Sequence, residues 1–218
     1  MRKAISFSGQ SRFVVEGLET LRRNLVDFNN YDIFIHTWEG PLNKDCYLYE
    51  PKAILVEPQK EVVPPEVQEC SPAAFIHFSM FYSIKDSLRL LAEYELANNF
   101  KYDVVIRTRF DIGLESRLDP ASYNLTEGVF SPNVCANPLV ISDWLNFSTS
   151  NNMKLYGEIY DNITNYFKVG VKITSGEELI THMLKTKRIP IKKIPCDLFL
   201  LRDRNIHHTL STYWKYAN

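Results

Sequence analysis

The chain lacks an apolar run approaching the roughly 20 residues a helix needs to cross a bilayer, so no transmembrane segment is expected. It also lacks strong charge of one sign. No Lys/Arg run exceeds two residues, and the formal net charge is -1 with a pI of about 6.5. A polyanion-binding surface is therefore not implied, and nucleic acid is not expected as a partner. Glycine is scarce, at 8 of 218 residues, and forms neither a P-loop nor a full dinucleotide fingerprint. There is no G-x-S-x-G elbow and no H-E-x-x-H pair. The four cysteines, Cys46, Cys70, Cys135 and Cys196, have no metal-like spacing, so reduced thiols are expected. Met1 to Phe7 is too short and polar for a signal peptide and reads as a first strand, which points to a cytoplasmic protein. On that reading the sequons at Asn124, Asn146 and Asn162 are chance matches.

What is present is a globular composition, 45% hydrophobic and 23% charged, enough for one domain with a substantial core. Aromatic residues reach 13%, which suits core and cleft walls and would also suit sugars or nucleobases. One stretch organises the rest, Tyr102 to Leu114. Val104, Val105 and Ile106 are consecutive and β-branched, as in the buried interior of a parallel sheet. Arg107, Arg109 and Asp111 follow at alternate positions, so an extended chain puts them on one face. Ligands of open α/β sheets bind beyond the carboxyl ends of the strands. There a carboxylate suits a hard divalent cation and a guanidinium suits a pair of phosphate oxygens. The group therefore reads as a site for a metal-bound diphosphate, or more plainly as an Arg–Asp ion pair at a strand end.

Around it the periodicities predict an α/β chain. Ala4 to Phe7 is a strand, Ser8 to Arg12 a polar turn, and Phe13 to Phe28 a helix with Ser11 as N-cap. Tyr31 to Trp38 and Ala53 to Glu57 are strands. Lys60 to Pro72, rich in Pro and Glu, is a long loop of the kind that serves as a lid. Ala73 to Asn99 reads as one or two helices, which makes a βαβ crossover into the organising strand. A mixed second half follows. Gly128 to Ser131 and Leu139 to Ser148 read as strands, the latter carrying Asp143. Helices run from Asn151 or Asn152 to Tyr166, and from a Ser175–Glu178 capping box to Lys187. Ile189 to Ile191 and Cys196 to Leu201 are further short strands. A lone His36 near a strand end is read as structural, and the adjacent His207 and His208 point apart, which argues against a shared ion.

Four blocks resemble the GT-A-type glycosyltransferases of viral and bacterial surface-glycan synthesis, among them small chlorovirus capsid glycosyltransferases and capsular and lipopolysaccharide enzymes. They are Ser6 to Arg12, Tyr31 to Trp38, Tyr102 to Asp111, and Asp143-Trp144 followed by Asn152-Met153 and the Tyr156 helix. Glu177-Glu178-Leu179 with His182 is a weaker fifth. The resemblance implies a single GT-A-like domain over residues 1–218. Residues 1–113 would form a Rossmann-like nucleotide-sugar half with a mostly parallel sheet, and 114–218 a smaller mixed acceptor half. It implies transfer of a hexosyl or deoxyhexosyl group from a nucleotide-diphosphate sugar, a UDP-sugar first, to a glycan or glycoprotein. Mn²⁺ or Mg²⁺ would sit at Asp111, the last carboxylate of a D-x-D motif whose first carboxylate is replaced here by Arg109. Ser8, Gly9 and Arg12 match the nucleotide loop, Thr37 the strand end near base and ribose, and Arg107 and Arg109 the diphosphate. Asp143 is the candidate base, with Glu177 and Glu178 behind it. A non-catalytic nucleotide-sugar or carbohydrate-binding module, and a nucleotidyltransferase on a similar fold, remain open.

Overall fold

The computed structural model describes residues 1–60, 63, 74–134, 139–168 and 175–201. Strands are β1 (Lys3–Gly9), β2 (Tyr31–Trp38), β3 (Ala53–Glu57), β4 (Val104–Thr108), β5 (Ile112–Leu114), β6 (Val129–Pro132), β7 (Leu145–Ser148), β8 (Ile191–Ile194) and β9 (Leu198–Leu200). Helices are α1 (Val14–Asn24), α2 (Ala74–Ala97), α3 (Ser150–Lys168) and α4 (Gly176–Thr186). Most of the lid segment, Cys70, Cys135 and the His207-His208 pair lie outside the described residues.

Seven strands form one sheet in the order β3-β2-β1-β4-β7-β6-β8. β1 to β4 are parallel, β7 runs against its neighbours β4 and β6, and β8 returns parallel to β6. This is a mostly parallel α/β sheet flanked by helices, compatible with a Rossmann-like fold. The mixed second half is continuous with the first through the β4–β7 pairing. β5 and β9 make a separate antiparallel pair.

Strand alternation builds two cores. Ile5, Phe7, Ile33, Ile35, Val104 and Ile106 face α1 on one side. Ala4, Phe34 and Val105 face α2, α3 and α4 on the other. Because both faces are covered, the central strands are apolar throughout, as the Val104 to Ile106 run requires. Among the described residues, no helix is long and apolar enough to cross a membrane.

Several boundaries differ from the sequence reading for identifiable reasons. α1 starts after Phe13, which takes a left-handed conformation at φ 54, because the Ser11 hydroxyl is drawn away to Asn43 Oδ1 at 2.6 Å. The expected strand at 139–148 shrinks to Leu145–Ser148. Upstream of it, Ile141 N–H donates to Thr181 Oγ1 and Ser142 N–H to Ser131 Oγ instead of joining a ladder. Asp143 therefore lies on an irregular segment before β7. The Ser175 cap is as expected, accepting from the Glu178 N–H at 3.3 Å.

Candidate functional site

β4 ends at Thr108, so Arg109 and Asp111 stand just past the strand instead of on it. The chain still carries Arg107, Arg109 and Asp111 to one cleft of about 410 Å³, shared with Ser8, Gly9 and Arg12. That volume is within the range of small-molecule sites. The cleft opens at the carboxyl ends of β1 and β4, where α/β sheets bind ligands.

The loop after β4 is fixed from below. Phe110 is buried and stacks on Phe7 with ring centroids 5.1 Å apart. α1 approaches closely because Gly17 has no side chain: a Cβ there would sit 2.5 Å from the Phe110 carbonyl oxygen. Leu201 N–H donates to the Asp111 carbonyl at 3.0 Å.

The three charged residues have different duties. Arg107 is fully buried, and its guanidinium donates to the Asp143 carbonyl and, at 3.2 Å, to Ser8 Oγ. Its Nε has no partner among the described residues. Burial brings this guanidinium down to about 10, against the pull of Asp143. Arg107 thus ties β1 and β4 to the segment before β7, as the cleft floor. Arg109 makes a two-point pair with Asp111, Nε to Oδ1 at 2.9 Å and one terminal nitrogen to Oδ2 at 2.8 Å. Its other terminal nitrogen reaches Asp143 Oδ2 at 3.3 Å. Burial pulls the Arg109 guanidinium down, but the Asp111 charge and hydrogen bonds more than offset that and raise it. The Arg–Asp pair at a strand end is therefore what the geometry holds.

Asp143 belongs to a second acidic group. Glu177, in the first turn of α4, lies near enough to Asp143 to feel its charge, and its carboxyl is raised by burial first and by the Asp143 charge second. His77 on α2 is buried, and its Nδ1 has no partner among the described residues. Burial lowers it, against the attraction of Asp143 and Glu178. Asp143 itself does not line the cleft. It meets it through Arg109.

The residues expected in the nucleotide loop have different settings. Gly9 has φ 106, a conformation that favours glycine, and a Cβ there would meet no atom within 4 Å, which leaves that space to the cleft. Its N–H is used, donating to Ser83 Oγ at 2.7 Å. Arg12 is exposed at the rim. Thr37 is wholly buried beside Gly9 in the β1–β2 register and is absent from the lining, where its neighbour Trp38 appears. Sequence reasoning missed Trp38, Gln59 and the first turns of α2, notably Phe75 and Ser79, which form the opposite wall. Gln59 Nε2 donates to Ser79 Oγ at 2.8 Å, which closes that wall. The one available signal was Phe75, exposed at the start of a helix whose Phe78 and Phe81 are core.

A divalent cation at Asp111 does not fit these residues. Both Asp111 oxygens accept from Arg109, which stands where the resemblance would put the first carboxylate, and Asp143 accepts from the same guanidinium. An incoming cation would meet a fixed positive charge where it needs free carboxylate oxygens. Among the described residues, another group does bring ligand-type atoms together: His36, Glu57 and Asp86, all within 4.8 Å. Here every member is already paired. His36 Nδ1 meets Ser83 Oγ at 2.7 Å and Nε2 meets Glu57 at 3.0 Å, while Lys60 sits by Glu57 and Arg89 by Asp86. This group supports the Gly9 turn through Ser83, as a structural histidine would. No protein-family model matches the chain, and no curated protein sequence matches it.

Proposed function

We propose that the protein is a glycosyltransferase that moves a sugar from a nucleotide-diphosphate sugar to a hydroxyl of a glycan or glycoprotein. One observation carries this reading: Arg109, Arg12 and the open space at Gly9 converge on a cleft at the β1 and β4 ends, with the Asp143–Glu177 pair directly behind. The arrangement of a parallel half joined through one reversed strand to a mixed half also supports a GT-A-like domain.

In this reaction the bond between sugar C1 and the β-phosphate oxygen breaks, and its electron pair passes to that oxygen. Arg109 and Arg12 stabilise the charge that develops there. The acceptor oxygen forms the new bond to C1, and its proton passes to a carboxylate. Asp143 is the candidate, because Arg109 reaches from the cleft to its carboxylate and the Glu177 carboxyl, raised by burial first and by the Asp143 charge second, lies beside it. Trp38 and Phe75 offer flat apolar walls for base or sugar.

The test is release of labelled sugar from a panel of UDP-, GDP- and dTDP-sugars, alone and with glycan acceptors. Transfer or hydrolysis that Asp143→Asn reduces by about 10²-fold or more supports the reading, a loss of the size seen when a group acting in the transition state is removed. Nucleotide binding without turnover would make the chain a binding module. Pyrophosphate release from a nucleoside triphosphate would make it a nucleotidyltransferase.

A further inference from the structure

We infer that the Arg109 guanidinium stands in for a divalent cation, and that this cleft binds a nucleoside diphosphate without Mn²⁺ or Mg²⁺. The inference rests on the nucleotide-sugar reading above. It departs from the D-x-D arrangement implied by the resemblance, in which carboxylates are ligands of an ion. Here the carboxylates hold a cation the chain itself supplies.

Geometry is the first support. Arg109 uses Nε and one terminal nitrogen on Asp111, at 2.9 and 2.8 Å, and the other terminal nitrogen on Asp143, at 3.3 Å. A guanidinium carries five N–H donors in a planar fork. Three engaged donors leave two, both on terminal nitrogens, and the side chain is 24% exposed on the cleft. A fork with two spare donors matches two phosphate oxygens. Charge is the second support. Arg109 engages both Asp111 oxygens and Asp143 Oδ2, and Arg107 is buried against the Asp143 carbonyl, so an added dication would meet two fixed positive charges, while Arg12 adds an exposed one at the rim. Rigidity is the third. The Phe110 stack on Phe7, the close contact with Gly17 and the Leu201 bond fix the loop between Arg109 and Asp111, so the guanidinium is already placed before a ligand arrives.

The experiment combines Mn²⁺ titration followed by electron paramagnetic resonance with calorimetric titration of UDP and GDP, in EDTA and in Mn²⁺, on the full chain. In the wild type the signal of free Mn²⁺ is expected to be undiminished, and the better nucleotide to bind within about twofold equally in both buffers. Arg109→Ala is expected to lose about tenfold or more in nucleotide affinity in EDTA. It should also gain Mn²⁺ binding, because Asp111 and Asp143 then face each other without a cation, and adding Asp111→Asn should abolish that gain. Arg109→Lys, which keeps the charge but not the fork, is expected to fold, to weaken nucleotide binding and still to exclude Mn²⁺. Wild-type Mn²⁺ binding that Asp111→Asn removes, or nucleotide binding seen only with Mn²⁺, would overturn the inference and leave the nucleotide-sugar reading standing. Absence of nucleotide binding in both buffers would overturn the reading and the inference together.

Discussion

Asp111→Asn is the most informative single change, because it alters one charge and almost no volume. In the wild type both Asp111 oxygens accept from Arg109, at 2.9 and 2.8 Å. Asn keeps one acceptor and turns an NH₂ group toward the guanidinium, so one charge-assisted bond is lost and a donor faces a donor. Such a bond is worth about 1.5–3 kcal/mol net. Asp111 is buried, while the Arg109 side chain is 24% exposed and can recover some hydration, so the middle of that range applies. At roughly 2–4 °C per kcal/mol for a domain of this size, a loss of about 2 kcal/mol lowers Tm by about 4–8 °C. The assay is thermal unfolding followed by circular dichroism at pH 7, run as a double-mutant cycle with Arg109→Met. The cycle should return a coupling of about 1.5–3 kcal/mol. Asp143→Asn, which loses a single longer contact at 3.3 Å, should cost less. A Tm shift under about 2 °C for Asp111→Asn, with coupling in the few tenths typical of exposed pairs, would refute the reasoning. The pair would then be a solvated surface contact, and Arg109 would not be held in place.

Three further outcomes are expected. Arg12→Ala, at an exposed rim position, should weaken nucleoside diphosphate binding about tenfold by calorimetry while leaving Tm nearly unchanged, and equal affinities would remove Arg12 from the site. Gly17→Ala forces a Cβ against the Phe110 carbonyl, so it should cost about 1–3 kcal/mol by overpacking and also weaken nucleotide binding by shifting Arg109; lost stability with unchanged affinity would show that the loop tolerates displacement. Glu177 has its carboxyl raised in the fold, so the unfolded chain releases that proton first as pH climbs, and the fold loses stability between the ordinary Glu range and the raised value. Glu177→Gln should therefore match the wild type in acid and melt higher at neutral pH, and a lower melting point at neutral pH would reverse the assignment.

The parallel half of the fold was legible because burial on both faces leaves a simple trace. Val104 to Ile106 must be apolar on both sides, and the helical spacing expected over Ala73 to Asn99 as one or two helices is a single helix over Ala74–Ala97. The second half was less legible where side chains take over the work of a ladder. Ile141 is apolar and buried, which reads as strand, yet its N–H goes to Thr181 on α4. β8 starts one residue past Pro190, because Pro190 has no N–H and offers only its carbonyl to Val129.

In the cleft, Arg107, Arg109 and Asp111 do come to one place, although only Arg107 lies on β4, and their spacing could not say what each would hold. Spacing gives direction, whereas partners come from distant chain. Arg107 spends its charge on Ser8 and on the Asp143 carbonyl, 99 and 36 residues away. Asp143 and Glu177 meet only because the segment before β7 passes the start of α4. The same logic explains why a D-x-D expectation placed an ion at Asp111. A lone carboxylate after a strand looks like an unpaired ligand until the fold shows a guanidinium on both its oxygens. Measured against that expectation, Arg109 therefore does more than leave a ligand out. It moves the positive charge from solvent into the chain, and the remaining acids, Asp111 and Asp143, become its supports.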